Sequence, residues 1–212
     1  MHNLAPLLII SDLRTMEEVK RCGWCVGDPL YEAYHDLEWG VPVLDDEKLF
    51  EFLTLETFQA GLSWITVLRK RNNFREAFDH FDYRKIAGYK DAKITELMQN
   101  SGIIRNQMKI RAAVTNAREF MKIQDEFGSF CRYIWSFVDG EPIQNEIENY
   151  KEAPATTEIS DKLSKDLKKR GFKFVGSTVI YAHMQATGMV NDHQTDCFRY
   201  EEVRKLGKQV SI

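Results

Sequence analysis

The sequence carries no excess of positive charge: 29 Lys and Arg stand against 32 Asp and Glu, a formal net charge of −3. That excludes a general basic coat for nucleic acid, so any DNA contact has to be a local patch. Long hydrophobic runs are also missing. The apolar run Ala5 to Ile10 is far too short to cross a bilayer. No cationic segment precedes it, so it does not read as a signal peptide, and a cytoplasmic protein is expected. Cysteine is scarce, with four residues, and in such a chain metal ligands or free thiols come before disulfides. There is no internal repeat and no low-complexity tract. No stretch alternates apolar and polar residues for long enough to make a sheet.

What is present is helical punctuation. Asp28 followed by Pro29 is an N-cap and first-turn pair that opens a helix through about Trp39. Asp45 and Asp46 open a second, running to about Ser63. A third begins at Asp91 and ends at Gly102. Arg105 to Lys122 reads as a long helix and Ser129 to Val138 as a shorter one. Ser160 is expected to cap a helix reaching Arg170, stopped by Gly171; Ser177 or Thr178 starts the next, which Gly188 ends. The chain length suits one globular domain or two small lobes sharing a core. Residues 1–20 read as an N-terminal extension and 201–212 as a C-terminal tail. The segment 140–157, with two prolines and many polar residues, reads as a surface loop or a crossing between lobes.

Two groups of residues carry candidate chemistry. Cys22 and His35 are separated by twelve residues, His193 and Cys197 by three. Two Cys and two His can close a tetrahedral zinc site that clips the start of the core to its end. Buried thiols and satisfied core histidines are the alternative. Cys22-Gly-Trp-Cys25 is also a CxxC pair, a redox dithiol or a metal ligand pair, although no βαβ pattern accompanies it. The second group lies on the helix after Asp45. Leu49, Phe52, Leu53 and Glu56 share one face, so Glu56 interrupts an apolar stripe. An unpaired carboxylate there would be costly to bury. It is a catalytic or base-recognition candidate, with an internal salt bridge as the alternative. Glu51 competes, but sits nearer the helix start, where water and the dipole favour charge. Tyr31, Tyr34, His35 and Glu38 share spacing on the preceding helix. Trp24 and Trp64 are core candidates that also suit stacking on a flat cationic base.

A third feature is a basic helix, with Lys165, Lys168, Lys169 and Arg170, that runs into Gly171-Phe172-Lys173-Phe174-Val175-Gly176 and then another helix. Glycines permit close backbone approach, and amides at the next helix start suit a phosphate. The arrangement resembles the helix-hairpin-helix module that grips a DNA backbone without reading sequence; a solvated lysine face is the alternative. A second turn, Gly102-Ile103-Ile104-Arg105-Asn106, has similar character.

Together these segments resemble the 3-methyladenine DNA glycosylase I family. The resemblance covers nearly everything from Arg21 to Cys197. It rests on Arg21-Cys22-Gly23-Trp24, Asp28-Pro29-Leu30-Tyr31, Tyr34-His35-Asp36 and Glu38-Trp39-Gly40-Val41-Pro42. Further anchors are Leu55-Glu56, Gln59-Ala60-Gly61-Leu62-Ser63-Trp64, the 102–106 turn, the 168–176 hairpin and Asn191-Asp192-His193. It implies an all-α helix-hairpin-helix glycosylase domain over 21–200. It implies a structural Zn(2+) at Cys22, His35, His193 and Cys197, and a base pocket of Trp24, Tyr31, Tyr34, Glu56 and Trp64. Glu56 is then the catalytic group, while Lys169, Gly171, Lys173 and Gly176 face the DNA backbone. The implied activity is hydrolysis of the N-glycosidic bond of 3-methyladenine in alkylated double-stranded DNA, leaving an abasic site, by a monomer. Cys25 and Cys131 match no implied ligand, and Asp192 is left as a supporting residue. No Lys is clearly placed as a Schiff-base nucleophile, so no strand cleavage is expected. The rivals are a DNA-damage binder with an inactive pocket and a zinc hydrolase. Against the latter, four protein ligands leave no open position for water.

Overall fold

The computed structural model describes residues 19–212. The apolar run Ala5 to Ile10, and all but the last two residues of the expected N-terminal extension, lie outside the described residues. The described chain is mostly helical. Helix α1 (Pro29–Leu37) starts where Asp28 accepts from the amides of Leu30 and Tyr31. Asp45 caps α2 (Asp46–Gln59) through the Lys48 amide. α2 stops short of the expected Ser63, because Gly61 turns the backbone at φ +82° and Ser63 instead precedes α3 (Trp64–Leu68). α4 (Arg71–Ala77), α5 (Tyr83–Ala87) and α6 (Asp91–Gln99) follow. α7 (Gln107–Phe127) is capped by Asn106 and closed by Gly128 at φ +84°. It therefore starts later and runs further than Arg105 to Lys122.

Ser129 caps α8 (Phe130–Trp135), which passes into a 3-10 turn to Val138. The cap of α9 (Glu158–Arg170) is Thr157, not the expected Ser160. Ser160 is the third helical residue and returns the bond to the Thr157 amide, a reciprocal capping box. Gly171, at φ +106°, ends α9, and α10 (Ser177–Ala186) follows. The stretch read as a tail is largely helical: α11 (Phe198–Gly207) spans the boundary placed after residue 200 and buries Val203. A sheet does exist, at its minimum size. β1 (Ile143–Gln144) and β2 (Val190–Asn191) pair in parallel, Ile143 opposite Val190, too short for any alternation to register.

α2 is the centre of the packing. Every residue from Leu49 to Phe58 is buried, because the helix is flanked by α3, α7, α8 and α10. Its aromatic rings interlock with neighbours on different sides. Phe50 meets Phe120 of α7 at 5.2 Å between centroids, and Phe58 meets Phe74 of α4 at 4.8 Å. A helix enclosed on all sides needs no single apolar stripe, which is why the faces of α2 all read as apolar.

The two ends of the described chain are stitched together beside this core. The Gly40 amide donates to the Gln185 carbonyl, the Val43 amide to Thr187, and the Phe198 amide to Lys20. Gly188 makes the closest approach. It holds φ +71°, and a Cβ there would stand 2.5 Å from the backbone of Val41 and Pro42. Gly140 has a similar φ, +78°, but open space around it. Gly140→Ala should therefore cost only the left-handed conformation, about 1 kcal/mol. Gly188→Ala must also move backbone and should cost about 3 kcal/mol or more. Chemical denaturation of the two variants checks this; equal losses would mean the 40–43 segment yields freely.

Candidate active site

A cavity of about 250 Å³ opens between the stitched ends and α2. Its walls are Trp24, Tyr31, Tyr34, Trp39, Glu56, Gln59, Trp64, Tyr150, Ala153, Ala182, Gln185 and Asp192. The five residues expected of a base pocket thus meet around one space. Trp24 packs edge-on against Tyr31 at 4.8 Å and against Trp39 at 5.0 Å; Tyr34 lies 5.4 Å from Trp64. Such rings offer both faces and edges to a planar ligand. Burial pushes the Tyr31 phenol up to about 12 and Tyr34 well above its ordinary value, so both stay protonated donors.

The two carboxylates that competed on α2 have opposite surroundings. Glu51 is buried but saturated: Oε1 accepts from Arg71 Nε at 2.6 Å and Arg75 Nη2 at 2.7 Å, with Lys48 near Oε2. Burial alone would raise its pKa, yet Arg71, Lys48 and Arg75 hold it below the ordinary value. Its burial departs from the expectation that the helix start keeps it in water, and three cations make that tolerable. Glu56 is 3 % exposed, and its Oε2 is fully buried with no hydrogen-bond partner. Burial alone pushes it up to about 8. Trp64 Nε1 is likewise buried and unpartnered. The cavity therefore presents an orphaned acceptor and an orphaned donor among aromatic rings, which is the signature of a site completed by a ligand.

Several wall residues were not singled out from the sequence. Trp39 and Gln59 stand inside recognised motifs without any periodicity to mark them. Tyr150 and Ala153 come from the segment read as a surface loop. That segment is pinned: the Gly23 amide donates to Gln194 Oε1, whose Nε2 donates to the Glu148 carbonyl. The absence of a side chain at Gly23 matters, because a Cβ there would stand 2.7 Å from the Tyr150 ring. Asp192 also reaches the cavity. Its carboxylate accepts from Tyr181 Oη at 2.7 Å, Asn145 Nδ2 at 2.6 Å and Gln185 Nε2 at 2.8 Å, which fixes its orientation.

Beside the cavity, Cys22, His35, His193 and Cys197 converge, all buried, with their ligand atoms within 4.8 Å of one another; the group could hold a metal ion. Cys22 Sγ lies 3.6 Å from His193 Nδ1, and Cys197 Sγ lies 3.4 Å from His35 Nε2 and 3.7 Å from His193 Nδ1. The remaining nitrogen of each imidazole is engaged. His35 Nδ1 meets Asp36 at 2.8 Å, and His193 Nε2 meets the Trp39 carbonyl at 3.0 Å. These partners fix which nitrogen faces the cluster, as outer partners do in metal centres. A hydrogen bond from Cys22, then the two imidazoles, holds the Cys197 thiol far below its ordinary range. Cys25 is buried beside this group but outside the quartet, its thiol donating to the Cys22 carbonyl at 3.1 Å.

The basic hairpin consists of α9, the turn at 171–176 and α10, whose later residues Ala182 and Gln185 reach the cavity wall. Lys169 and Lys173 are exposed. Gly171 needs its positive φ. Gly176 does not: its φ is −61° and a Cβ there would meet nothing within 4 Å. No side chain caps α10, so its first amides remain open. Arg170, by contrast, is committed within the protein. It pairs with Glu126 and Asp166 at 2.6 Å each and lies over the rings of Phe127 and Tyr133. The turn at 102–106 is held by Lys70 and Asn73, which donate to the Gly102 carbonyl.

The burial of Glu56 has a measurable consequence. Its carboxyl titrates near 4.5 when solvated and about 8 in the folded protein. The folded state then holds the extra proton between these values. The stabilisation is complete below the lower value and is lost as pH rises towards the upper one, at up to about 1.4 kcal/mol per pH unit. Glu56→Gln cannot titrate, so it should gain on the parent protein steadily across that window. Urea unfolding in a pH series reads the difference; parallel curves would mean the carboxyl is solvated.

Comparison with known proteins places this arrangement. The methyladenine glycosylase family profile matches residues 24–200. DNA-3-methyladenine glycosylase 1 of Escherichia coli K12 is 50% identical over 182 residues, 86% of this chain and 97% of the relative. DNA-3-methyladenine glycosylase of Haemophilus influenzae is 49% identical, over 84% of this chain and 96% of its own. A crystal structure of 3-methyladenine DNA glycosylase I superposes with TM-score 0.82 at 52% identity, covering 84% of this chain and 98% of the other. The Staphylococcus aureus enzyme, in a study of 3-methyladenine recognition, superposes with TM-score 0.82 at 36% identity, covering 85% and 96%. A Tyr-to-Phe variant of such an enzyme, solved in complex with 3-methyladenine, gives TM-score 0.83 at 36% identity, covering 85% and 97%. With a family profile that spans every wall residue of the cavity and with relatives about half identical over nearly their whole length, this chain belongs to the methyladenine glycosylase family.

Proposed function

We propose that this protein excises 3-methyladenine from alkylated double-stranded DNA by hydrolysing its N-glycosidic bond, leaving an abasic site. The observation that carries this is the Glu56 carboxylate, buried without a partner on the wall of an aromatic cavity. An aromatic ligand without a donor would leave that acceptor unpaired, and a neutral one would not offset a buried negative charge. A cationic base with an amino group would stack on Trp24 and Trp64, donate to Glu56, and favour its ionised form. Methylation at N3 gives adenine such a charge and weakens its bond to the sugar, so the base departs neutral without strong protonation by the protein. The nucleotide must leave the duplex to reach the cavity. Tyr31 and Tyr34 supply hydrogen-bond donors, and water completes hydrolysis at the sugar carbon. No lysine stands among the cavity walls, which supports hydrolysis without strand cleavage. The exposed Lys169 and Lys173, with Gly171, Gly176 and the open amides of α10, suit backbone phosphates in the manner of a helix-hairpin-helix module. The working unit runs from residue 21 through the end of α11, acting as a monomer in the cytoplasm.

The cluster fits zinc as a structural ion. Bonds of about 2.3 Å to sulfur and 2.0 Å to nitrogen in a tetrahedron separate S and N donors by about 3.5 Å, and the separations here are 3.4, 3.6 and 3.7 Å. When bound, zinc would cross-link Cys22 and His35 to His193 and Cys197, closing most of the chain into one loop. Its four protein ligands leave the chemistry to the cavity.

Incubation with methylated DNA and identification of the released base tests the function. Glu56→Gln should lower excision by at least about tenfold while folding stays intact. Trp64→Ala should weaken binding of free 3-methyladenine by about 1–3 kcal/mol. Full activity in both variants would remove the cavity from the proposal. Elemental analysis tests the metal: about one zinc per chain is expected, lost with its stabilisation in Cys22→Ser or Cys197→Ser and kept in Cys25→Ser. Loss only in Cys25→Ser would overturn the ligand set.

A further inference from the structure

Two buried polar side chains of α7 serve neither the cavity nor the cluster. Lys109, 5 % exposed, sends its Nζ to the carbonyls of Phe58 at 2.9 Å and Ala60 at 2.7 Å. These are end groups of α2, just beyond Glu56, and α2 has no basic residue of its own in its last turn. Lys109 thus supplies the cation that a helix C-terminus favours, from another element. It holds the point where α2 passes into the loop leading to Trp64. Asn116, 2 % exposed, accepts from the Lys173 amide at 2.8 Å and donates to the Lys173 carbonyl at 3.0 Å. Both backbone groups of the hairpin's tip residue are consumed. The next residue, Phe174, is held at φ +57°, a conformation rare for a residue with a side chain.

Lys109 and Asn116 are seven residues apart, two turns of one helix. They therefore lie on the same face, about 10 Å apart along the axis. We propose that α7 is the spacer that fixes the distance between the base cavity and the phosphate-facing hairpin, with Lys109 and Asn116 as its two positioning residues. The hairpin's helices are tied to the core by the packing of α10 on α2, but its tip is held sideways by Asn116. An extrahelical base and its flanking phosphates are joined by a short, inextensible piece of backbone. A loose spacer would let the protein satisfy one contact or the other, and only a fixed one lets it hold both. The proposal rests on assigning the hairpin to DNA.

The test is a double-mutant cycle with Lys109→Met and Asn116→Ala. Three quantities are measured: kcat/KM on methylated duplex, affinity for free 3-methyladenine, and unfolding free energy. Each single variant should lower kcat/KM roughly tenfold, the scale of a lost buried hydrogen bond. Asn116→Ala should leave free-base affinity unchanged, because a free base needs no hairpin. The double variant should lose clearly less than the product of the two, since spacing is already lost once either end is free. Unfolding free energies should add, as they do for separated residues. Lys109→Arg should recover most of the activity. Lys109→Gln, which retains N–H donors without the charge, replaces Lys109→Met if that variant does not fold. A multiplicative loss in kcat/KM, or a fall in free-base affinity in Asn116→Ala, overturns the spacer. Lys173→Ala tests the hairpin separately: it should weaken DNA binding and flatten its salt dependence. An unchanged salt slope removes the hairpin from DNA and the spacer with it. A flattened slope beside a multiplicative cycle overturns the spacer alone.

Discussion

The constraint on which the structure turns is the complete enclosure of α2. A helix buried along ten consecutive residues gives any carboxylate on it two outcomes: pairing inside the protein, or waiting for something outside. Glu51 takes the first, through arginines recruited from α4. Glu56 takes the second. The same packing that makes Glu56 costly also makes it selective. A desolvated carboxylate rewards a cation or a donor far more than a solvated one would, and Glu56 Oε2 has no partner among the described residues.

Enclosure of α2 on the cavity side is made by both ends of the described chain. Trp24, Tyr31, Tyr34 and Trp39 come from the beginning; Gln185 and Asp192 come from the end. The Cys22, His35, His193 and Cys197 cluster and the Gly188 contact hold those ends to each other, and the two-residue β1–β2 pair ties residues 143–144 to the later one. Cluster and cavity are adjacent for a mechanical reason. Trp39 lines the cavity while its carbonyl orients His193, so the closure of the chain and the shape of the pocket share parts.

Legibility in the sequence followed the range of the forces involved. The starts of α1 and α2 were readable because Asp28 and Asp45 act on amides two and three residues ahead. The short helices α3, α4 and α5, of five to seven residues, give too little periodicity to read, even with Asp82 capping α5, and the cap of α9 is Thr157 rather than Ser160. Glu56 could be flagged by its stripe but not separated from Glu51 by pattern. The arginines that neutralise Glu51 lie twenty or more residues away. Tyr150 gave no signal at all. Its place at the cavity depends on a missing atom at Gly23 and a glutamine at 194, contacts across most of the chain. Lys109 and Asn116 carry no sequence signal for the same reason, since their partners lie 49 to 57 residues away.

The internal commitment of Arg170 bears on how such a protein would travel. Salt bridges to Glu126 and Asp166 withdraw one of the strongest cations from the face that carries the hairpin lysines, in a molecule already net negative. With the hairpin on backbone phosphates as proposed, few phosphates would be neutralised at each stop, few counterions would be released, and undamaged duplex would hold the protein only briefly. Short residence on ordinary DNA shortens the time spent at each wrong site. Discrimination is thereby moved from the grip on the backbone to the moment a base enters the cavity, and rapid turnover among sites becomes a property of where one arginine points.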